Sequence, residues 1–273
     1  VLFGPSSKIG LINLQKKIMG TLARGGKNFN YMLGASACAQ AIKLQHAMEL
    51  LETQTLGGFY KYLKNLFDQA AKKQSKGVIK LVAKPEFNFI YSSATELLAK
   101  KREHPKVIKL VEIVKREKEN NPNTKIIVFT QFRDSANILS KRLNELEGIE
   151  SKVFVGQAKK EGSGMNQKAQ KKVIDEFRDG EINVLCATCI AEEGLDIPEV
   201  SAVIFYEPVP SAIRAIQRTG RTARLEKGKL IMLITKGTRD ESNYFVSRAR
   251  EKSMKTAIEK VQKNMGQKTL DIY

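Results

Sequence analysis

Through the first hundred residues, apolar side chains recur at the three- and four-residue spacing of amphipathic helices. The pattern predicts helices over residues 8–23, 33–54 and 59–74, and a fourth helix that begins near Ser92 or Ser93. Gly57 and Gly58 are interpreted as a break before the third helix. Because no stretch alternates as a half-buried strand does, residues 1–104 are predicted to form an all-helical domain.

After Pro105, short β-branched runs alternate with amphipathic segments. Strands are predicted at residues 125–130, 151–156, 182–188, 202–207 and 229–235, and helices at residues 107–120, 133–147, 167–179, from Ser211 and over 240–262. Such alternation indicates an α/β fold with a parallel sheet. Because ligands of these sheets bind at the carboxyl ends of the strands, the loops of interest follow Thr130, Gly156, Thr188 and Glu207.

Charge narrows the class of partner. The chain of 273 residues has 47 Lys and Arg against 29 Asp and Glu, which gives a formal charge of +18. Residues 1–100 alone have a net charge of +9, from 14 basic and 5 acidic side chains. Such a balance favours a polyanion, most often nucleic acid. The alternative is the lysine-rich surface of a heat-adapted protein.

The cysteines favour a reducing, cytoplasmic setting, because Cys38, Cys186 and Cys189 are too few for a disulfide framework. Cys186 and Cys189 form a C-x-x-C pair, but no second pair accompanies them, so no metal site is predicted. No apolar run reaches the ~20 residues that a membrane-spanning helix needs.

Two stretches carry candidate chemistry. In TCIAEEGLDIPEV, residues 188–200, Gly194 allows close approach of the backbone to a ligand, and the carboxylate of Asp196 could accept hydrogen bonds from a ribose. A turn or helix-capping role for Asp196 is the alternative. In AIQRTGRTAR, residues 215–224, three arginines recur every third residue. Their guanidinium groups match phosphate oxygens, although a solvated basic face would have the same sequence.

Together these stretches resemble motifs V and VI of the second RecA-like domain of superfamily-2 helicases, and KIIVFTQFRDSANILSKRL resembles motif IV. Other stretches are similar to the archaeal Hef helicases, of the Fanconi anaemia M-type branch: residues 154–158, 192–214, 235–241 and, in the helical part, 44–54. The resemblance implies a helical insert domain over residues 1–104 that grips duplex DNA. It implies a RecA-like helicase domain over residues 105–262, which acts on forked or branched DNA in repair and replication-fork restart.

The resemblance also implies roles for single residues. Arg221 and Arg224 correspond to the arginines that reach the γ-phosphate of ATP, and Gln217 to a nucleotide-side or coupling residue. Asp196, with Gly194, corresponds to the ribose contact, and Arg218 to a coupling residue or a salt bridge. The residues that correspond to nucleic-acid contacts are Thr188, Thr130 and Arg133, with Gly156 and Gln157 as weaker candidates.

The motifs of a first motor domain are missing from this sequence. It contains neither G-x-x-x-x-G-K-[ST] nor D-E-x-[HD], which in the family hold the phosphates and Mg²⁺. ATP and Mg²⁺ are therefore expected to bind mainly to a first RecA-like domain outside this chain, and the chain alone is predicted not to hydrolyse ATP.

The last residues, 263–273, are similar to the peptide that binds the sliding clamp (PCNA), through Gln267, Leu270 and Tyr273. Loss of clamp binding on removal of the last seven residues would support this interpretation, and no detectable clamp binding by the chain would remove it. Two alternatives for the whole chain stay open: a motor that acts on double-stranded RNA, and a non-catalytic half-motor that holds DNA or the clamp.

Overall fold

The computed structural model describes residues 7–25, 28–156, 164–188, 198–208 and 229–249, together with positions 252, 253 and 256. Over these residues, no helix has the length and apolar character required to cross a membrane. The chain divides into two compact units, Val1–His104 and Pro105–Tyr273.

The first unit is helical throughout its described part, as predicted. Its helices are α1 (Lys8–Ala23), α2 (Phe29–Thr53), α3 (Leu56–Ala71), α4 (Lys76–Val82) and α5 (Pro85–Ala99). Helix α3 lies beside α5 in the antiparallel sense, because Tyr60 stacks on Tyr91 while Phe67 contacts Phe87. Apolar side chains of α3, α4 and α5 form the core of the unit, including Leu63, Leu66, Val78, Leu81 and Phe87.

Two predictions for this unit were wrong in detail. Gly57 and Gly58 do not break the chain but lie in the first turn of α3, because the Thr55 hydroxyl accepts a hydrogen bond from the Gly58 amide at 3.0 Å and caps the helix there. Helix α5 begins at Pro85 instead of near Ser92, since proline is favoured in the first helical turn. The short helix α4 was not predicted.

The second unit is the predicted parallel α/β layer. It contains α6 (Pro105–Asn120), β1 (Ile126–Phe129), α7 (Arg133–Leu143), β2 (Ser151–Phe154), α8 (Gln167–Asp179), β3 (Val184–Ala187), β4 (Ala202–Phe205) and β5 (Lys229–Met232). The strands are all parallel, in the order β2-β3-β1-β4-β5. Residues 239–249 are helical, within the span predicted for the last helix, whereas the short helix expected from Ser211 falls outside the described residues.

Alternate residues of the strands supply the two faces of the sheet, as the pleat requires. On β1, Ile126 and Val128 pack with side chains of α6 and α7, while Ile127 and Phe129 pack with side chains of α8. Both faces of the central strands are buried, which explains their continuous apolar sequences. The residues that follow the carboxyl ends of the strands form the sheet edge where the site is predicted.

Candidate functional site

The carboxyl ends of β1, β2 and β3 meet at one edge of the sheet, because the three strands are parallel and paired in register. This edge carries three of the predicted residues. Thr130 directly follows β1, Thr188 directly follows β3, and Gly156 lies two positions after the end of β2. The Thr130 amide donates to the Ala187 carbonyl at 2.9 Å, and the Thr188 amide donates to the Phe154 carbonyl at 3.2 Å. The structure thus brings together three residues that the sequence predicted as nucleic-acid contacts.

Arg133 joins the ends of β1 and β2. It opens α7, the helix that follows β1, and its Nη2 donates to the Gly156 carbonyl, which follows β2, at 3.2 Å. Because β3 lies between these strands, the guanidinium group extends across the end of β3, where Thr188 is partly exposed. This sheet edge therefore has a guanidinium group and a hydroxyl, which are donors of the kind that can bind phosphate oxygens.

Thr130 differs from its neighbours because its side chain is fully buried. Its hydroxyl donates to the Glu207 carboxylate at 3.4 Å, and the Gln131 amide donates to the same oxygen. A contact between this hydroxyl and nucleic acid would have to displace Glu207. The predicted role of Thr130 stays a prediction, and its observed role is to hold the end of β1.

A buried ion pair lies near the ends of β4 and β5. Lys106 Nζ donates to the Asp240 carboxylate at 2.6 Å and to the Tyr206 carbonyl at 2.9 Å, and it lies 4.6 Å from the centre of the Tyr206 ring. Burial lowers the pKa of Lys106, against the opposing effect of the Asp240 and Glu207 charges. Burial likewise raises the pKa of Asp240, against the opposing effect of Lys106.

No pattern in the sequence predicts that Lys106, Asp240 and Glu207 form a network. Glu207 was marked only as the end of a strand, and Asp240 only as the start of the predicted last helix and as part of a stretch that is similar to the Hef helicases. Lys106 carried no signal at all, because a lysine in the first turn of an amphipathic helix is ordinarily solvated.

The other predicted site residues lie outside the described residues, so their placement is not part of the site described above. They are Gln157, Gly194, Asp196, Gln217, Arg218, Arg221, Arg224, Gln267, Leu270 and Tyr273.

Cys186 lies in the core on the face of the sheet that packs against α6 and α7. Burial raises the pKa of its thiol to about 12, and its Sγ lies 3.6 Å from the Ser151 hydroxyl. A thiol in this state is a poor metal ligand, since metals bind the thiolate. Among the described residues, no group of His, Cys, Asp and Glu side chains is arranged to hold a metal ion.

Two family models match the chain. The helicase conserved C-terminal domain matches residues 105–226, and the helical bundle of a putative ATP-dependent RNA helicase matches residues 5–117. The helicase domain of Pyrococcus furiosus Hef superposes with a TM-score of 0.71 at 41% identity, over 88% of this chain and 48% of the Hef chain. The chain therefore contains a helicase conserved C-terminal domain and is similar to the Hef helicase domain over both its helical and its α/β part.

Curated relatives agree with this similarity. A putative ATP-dependent RNA helicase of Methanocaldococcus jannaschii is 42% identical over 81% of this chain and 27% of its own length. The ATP-dependent DNA helicase mph1 of Sclerotinia sclerotiorum is 36% identical over 72% of this chain and 17% of its own length. The chain thus spans about a quarter or less of the curated relatives that it matches, and the activity of an intact protein is a matter of proposal.

Proposed function

We propose that this chain is the C-terminal half of an ATP-dependent DNA helicase or translocase that acts on forked or branched DNA. The convergence of Arg133, Gly156 and Thr188 on one sheet edge carries the proposal, because these residues can follow a phosphodiester backbone. ATP and Mg²⁺ are held mainly by a first motor domain, to which this half contributes Arg221 and Arg224 at the γ-phosphate and Asp196 at the ribose. Such a protein works inside the cell, on DNA, with the sliding clamp as a further partner through residues 267–273.

A cluster of lysines in the helical unit supports a grip on nucleic acid. We call it the lysine cluster: Lys72, Lys73, Lys76, Lys80 and Lys84, all exposed. No acidic residue occurs between positions 69 and 85. Helix α4 holds part of the cluster in a fixed place, because its opposite side buries Gly77, Val78 and Leu81.

Ion pairing distinguishes the lysine cluster from other lysines of the protein. Lys100, Lys109 and Lys152 each lie within 3 Å of a glutamate oxygen. By contrast, no residue that the structure describes is ion-paired with a lysine of the cluster. Five exposed lysines that lie close together in the chain and form no ion pair among the described residues are suited to neutralise phosphates and release the counterions of a duplex.

The experiment that tests the function is binding of this chain to a forked DNA, a linear duplex DNA and a duplex RNA, by fluorescence anisotropy across a salt series. We expect the fork to bind most tightly, with an affinity that falls steeply with salt. RNA is the second candidate substrate, because two of the matched descriptions name RNA helicases. Equal or tighter binding of the RNA duplex would replace DNA by RNA as the substrate, and no binding at all would contradict both.

The same assay tests the lysine cluster. Exchange of Lys76, Lys80 and Lys84 for Gln should weaken fork binding about tenfold or more near 0.1 M salt and reduce the salt slope by about 2 to 3, since each lost phosphate contact removes ~0.9. The matched control exchanges Lys16, Lys17 and Arg24, which are exposed on or beside α1, and removes the same charge. Equal losses in the two triple variants would mean that net charge acts instead of the cluster.

A further inference from the structure

Glu207 holds the loop that leads from β1 into Arg133. Its carboxylate follows β4, is buried, and accepts hydrogen bonds from the Gln131 amide and, at 3.4 Å, from the Thr130 hydroxyl. Phe132 is the N-cap residue of α7 and provides no side-chain hydrogen bond to the helix. The start of α7 is therefore fixed from a neighbouring strand, through Glu207, instead of by its own cap.

Lys106 stabilises the position of Glu207. Its ammonium group donates to the carbonyl of Tyr206, the residue directly before Glu207, and its charge attracts the Glu207 carboxylate. Asp240 in turn anchors Lys106 at 2.6 Å and accepts from the Thr235 amide at 3.2 Å. The segments that follow β4 and β5 are thus connected through buried charges to the segment that follows β1.

Stability alone is a weak reason for this arrangement. Burying two carboxylates around one ammonium costs desolvation that their attraction only partly offsets, so buried ion pairs add little net stability. What the Glu207 side chain does supply is direction, because its oxygen accepts a hydrogen bond from the Gln131 amide and so fixes where that amide lies. The oriented bond here ends at Gln131, two residues before the arginine whose guanidinium group extends across the sheet edge.

We infer that Glu207 is a positioning residue for nucleic-acid binding: it fixes the backbone at Gln131 and so directs Arg133 along the sheet edge. Lys106 and Asp240 keep the carboxylate in place. The inference rests on the proposed function, because it assumes that the edge formed by Arg133, Gly156 and Thr188 contacts nucleic acid. Glu207 would thus contribute to binding without itself contacting the nucleic acid.

Two substitutions at Glu207 distinguish the effect of its oxygen position from the effect of its charge. Glu207→Asp keeps the buried charge opposite Lys106 but retracts the carboxylate by one methylene, so the hydrogen bond to Gln131 is displaced. Glu207→Gln removes the charge but keeps an oxygen that can accept from Gln131. We expect Glu207→Asp to weaken fork binding as much as Arg133→Ala does, about tenfold, and Glu207→Gln to stay within about threefold of the wild type.

A double-mutant cycle and hydrogen exchange provide the readouts that a merely structural role would not change. Because Glu207 acts through Arg133, the variant with both Glu207→Asp and Arg133→Ala should bind no more weakly than Arg133→Ala alone. The Gln131 amide should exchange faster in Glu207→Asp, while amides of β1 and β3 keep their protection. Melting temperatures show whether each variant folds, and the Gln variant tests the inference if the Asp variant does not.

Three outcomes would overturn the inference: wild-type binding by Glu207→Asp, losses that add in the double variant, or a Gln variant that folds but binds as weakly as Arg133→Ala. The proposed function fails differently. If the wild-type chain does not bind nucleic acid, or if Arg133→Ala has no effect, the sheet edge itself is not the contact surface and there is nothing for Glu207 to position.

Discussion

At the scale of single residues, loss of the Lys106 ammonium group should strongly reduce stability. Lys106→Met keeps the aliphatic volume but leaves the Asp240 and Glu207 carboxylates buried near each other without the ammonium group. We expect the free energy of unfolding to fall by about 3 to 5 kcal/mol, as for other broken buried pairs. Guanidinium denaturation followed by circular dichroism measures it.

The matched control for Lys106→Met is Lys109→Met on the same helix. Lys109 pairs with Glu112 on the surface, where both side chains are about half exposed, so its loss should change stability by less than about 1 kcal/mol. Combining Lys106→Met with Asp240→Asn should restore part of the lost stability, because one unpaired buried charge disappears. Equal losses of stability in Lys106→Met and Lys109→Met would show that the buried pair contributes no more than a surface pair.

The sequence predicts the residues of the sheet edge better than the buried contacts that hold this edge in place. Gly156 and Thr188 could be placed because the end of a parallel strand fixes where the next residue lies. The burial of Thr130 and the links among Lys106, Glu207 and Asp240 could not, since they depend on which distant strands become neighbours. A lysine at position 106 and an aspartate at position 240 are 134 positions apart in the chain, and no periodicity relates them.

At the scale of helices and strands, a polar clamp joins α1 to α2. Lys8 Nζ donates to Glu49 at 2.7 Å, and His46 Nδ1 lies 3.2 Å from the same carboxylate oxygen. The hydrogen bond with His46, followed by that with Lys8, lowers the pKa of Glu49 from 4.5 to about 2. The His46 ring also packs edge-on against Tyr62 of α3, at 4.8 Å between ring centres, so three helices meet at this point.

The clamp predicts a pH dependence of stability. Because the pKa of Glu49 is lower in the folded than in the unfolded protein, its contribution is fully present above about pH 4.5 and is lost as the pH falls towards 2. The wild type should exceed Glu49→Gln by up to about 3 kcal/mol in unfolding free energy at pH 6, and the difference should vanish near pH 2. Chemical denaturation of both proteins across this range provides the measurement, and a difference that does not change with pH would contradict the clamp.

The elements themselves were predictable where one periodicity dominates. Helix α8 was predicted with its observed bounds because its apolar stripe is strong and Asn166 caps it, with the Ala169 amide bound to the Asn166 side chain at 2.8 Å. Helix α3 was misplaced because glycine suggests a break, while the Thr55 cap determines where the helix begins. The seven residues of α4 are too few for a clear helical period, and packing against α2 and α3 stabilises them instead.

At the scale of the whole molecule, the two units bring different properties to one proposed task. The helical unit offers the lysine cluster, whose positive charge binds phosphates without regard to sequence. The α/β unit offers a sheet edge on which a cation and a hydroxyl are fixed by the strands and by Glu207. Neither property hydrolyses ATP, because phosphoryl transfer depends on phosphate-cradling amides and on Mg²⁺ that is held in place.

The final prediction therefore concerns the chemistry of the chain by itself. Without G-x-x-x-x-G-K-[ST] and D-E-x-[HD], the chain should show no ATP hydrolysis above background, with or without forked DNA. In a protein that also contains a first motor domain, Arg224→Ala should lower kcat about 10³-fold, as loss of an arginine finger does, while the salt slope of DNA binding stays unchanged. A coupled phosphate-release assay measures ATP hydrolysis by the chain and kcat of the longer protein, and fluorescence anisotropy measures the salt slope. Robust turnover by the chain alone that Arg224→Ala abolishes would show that it contains a complete catalytic site, and the half-motor proposal would then be wrong.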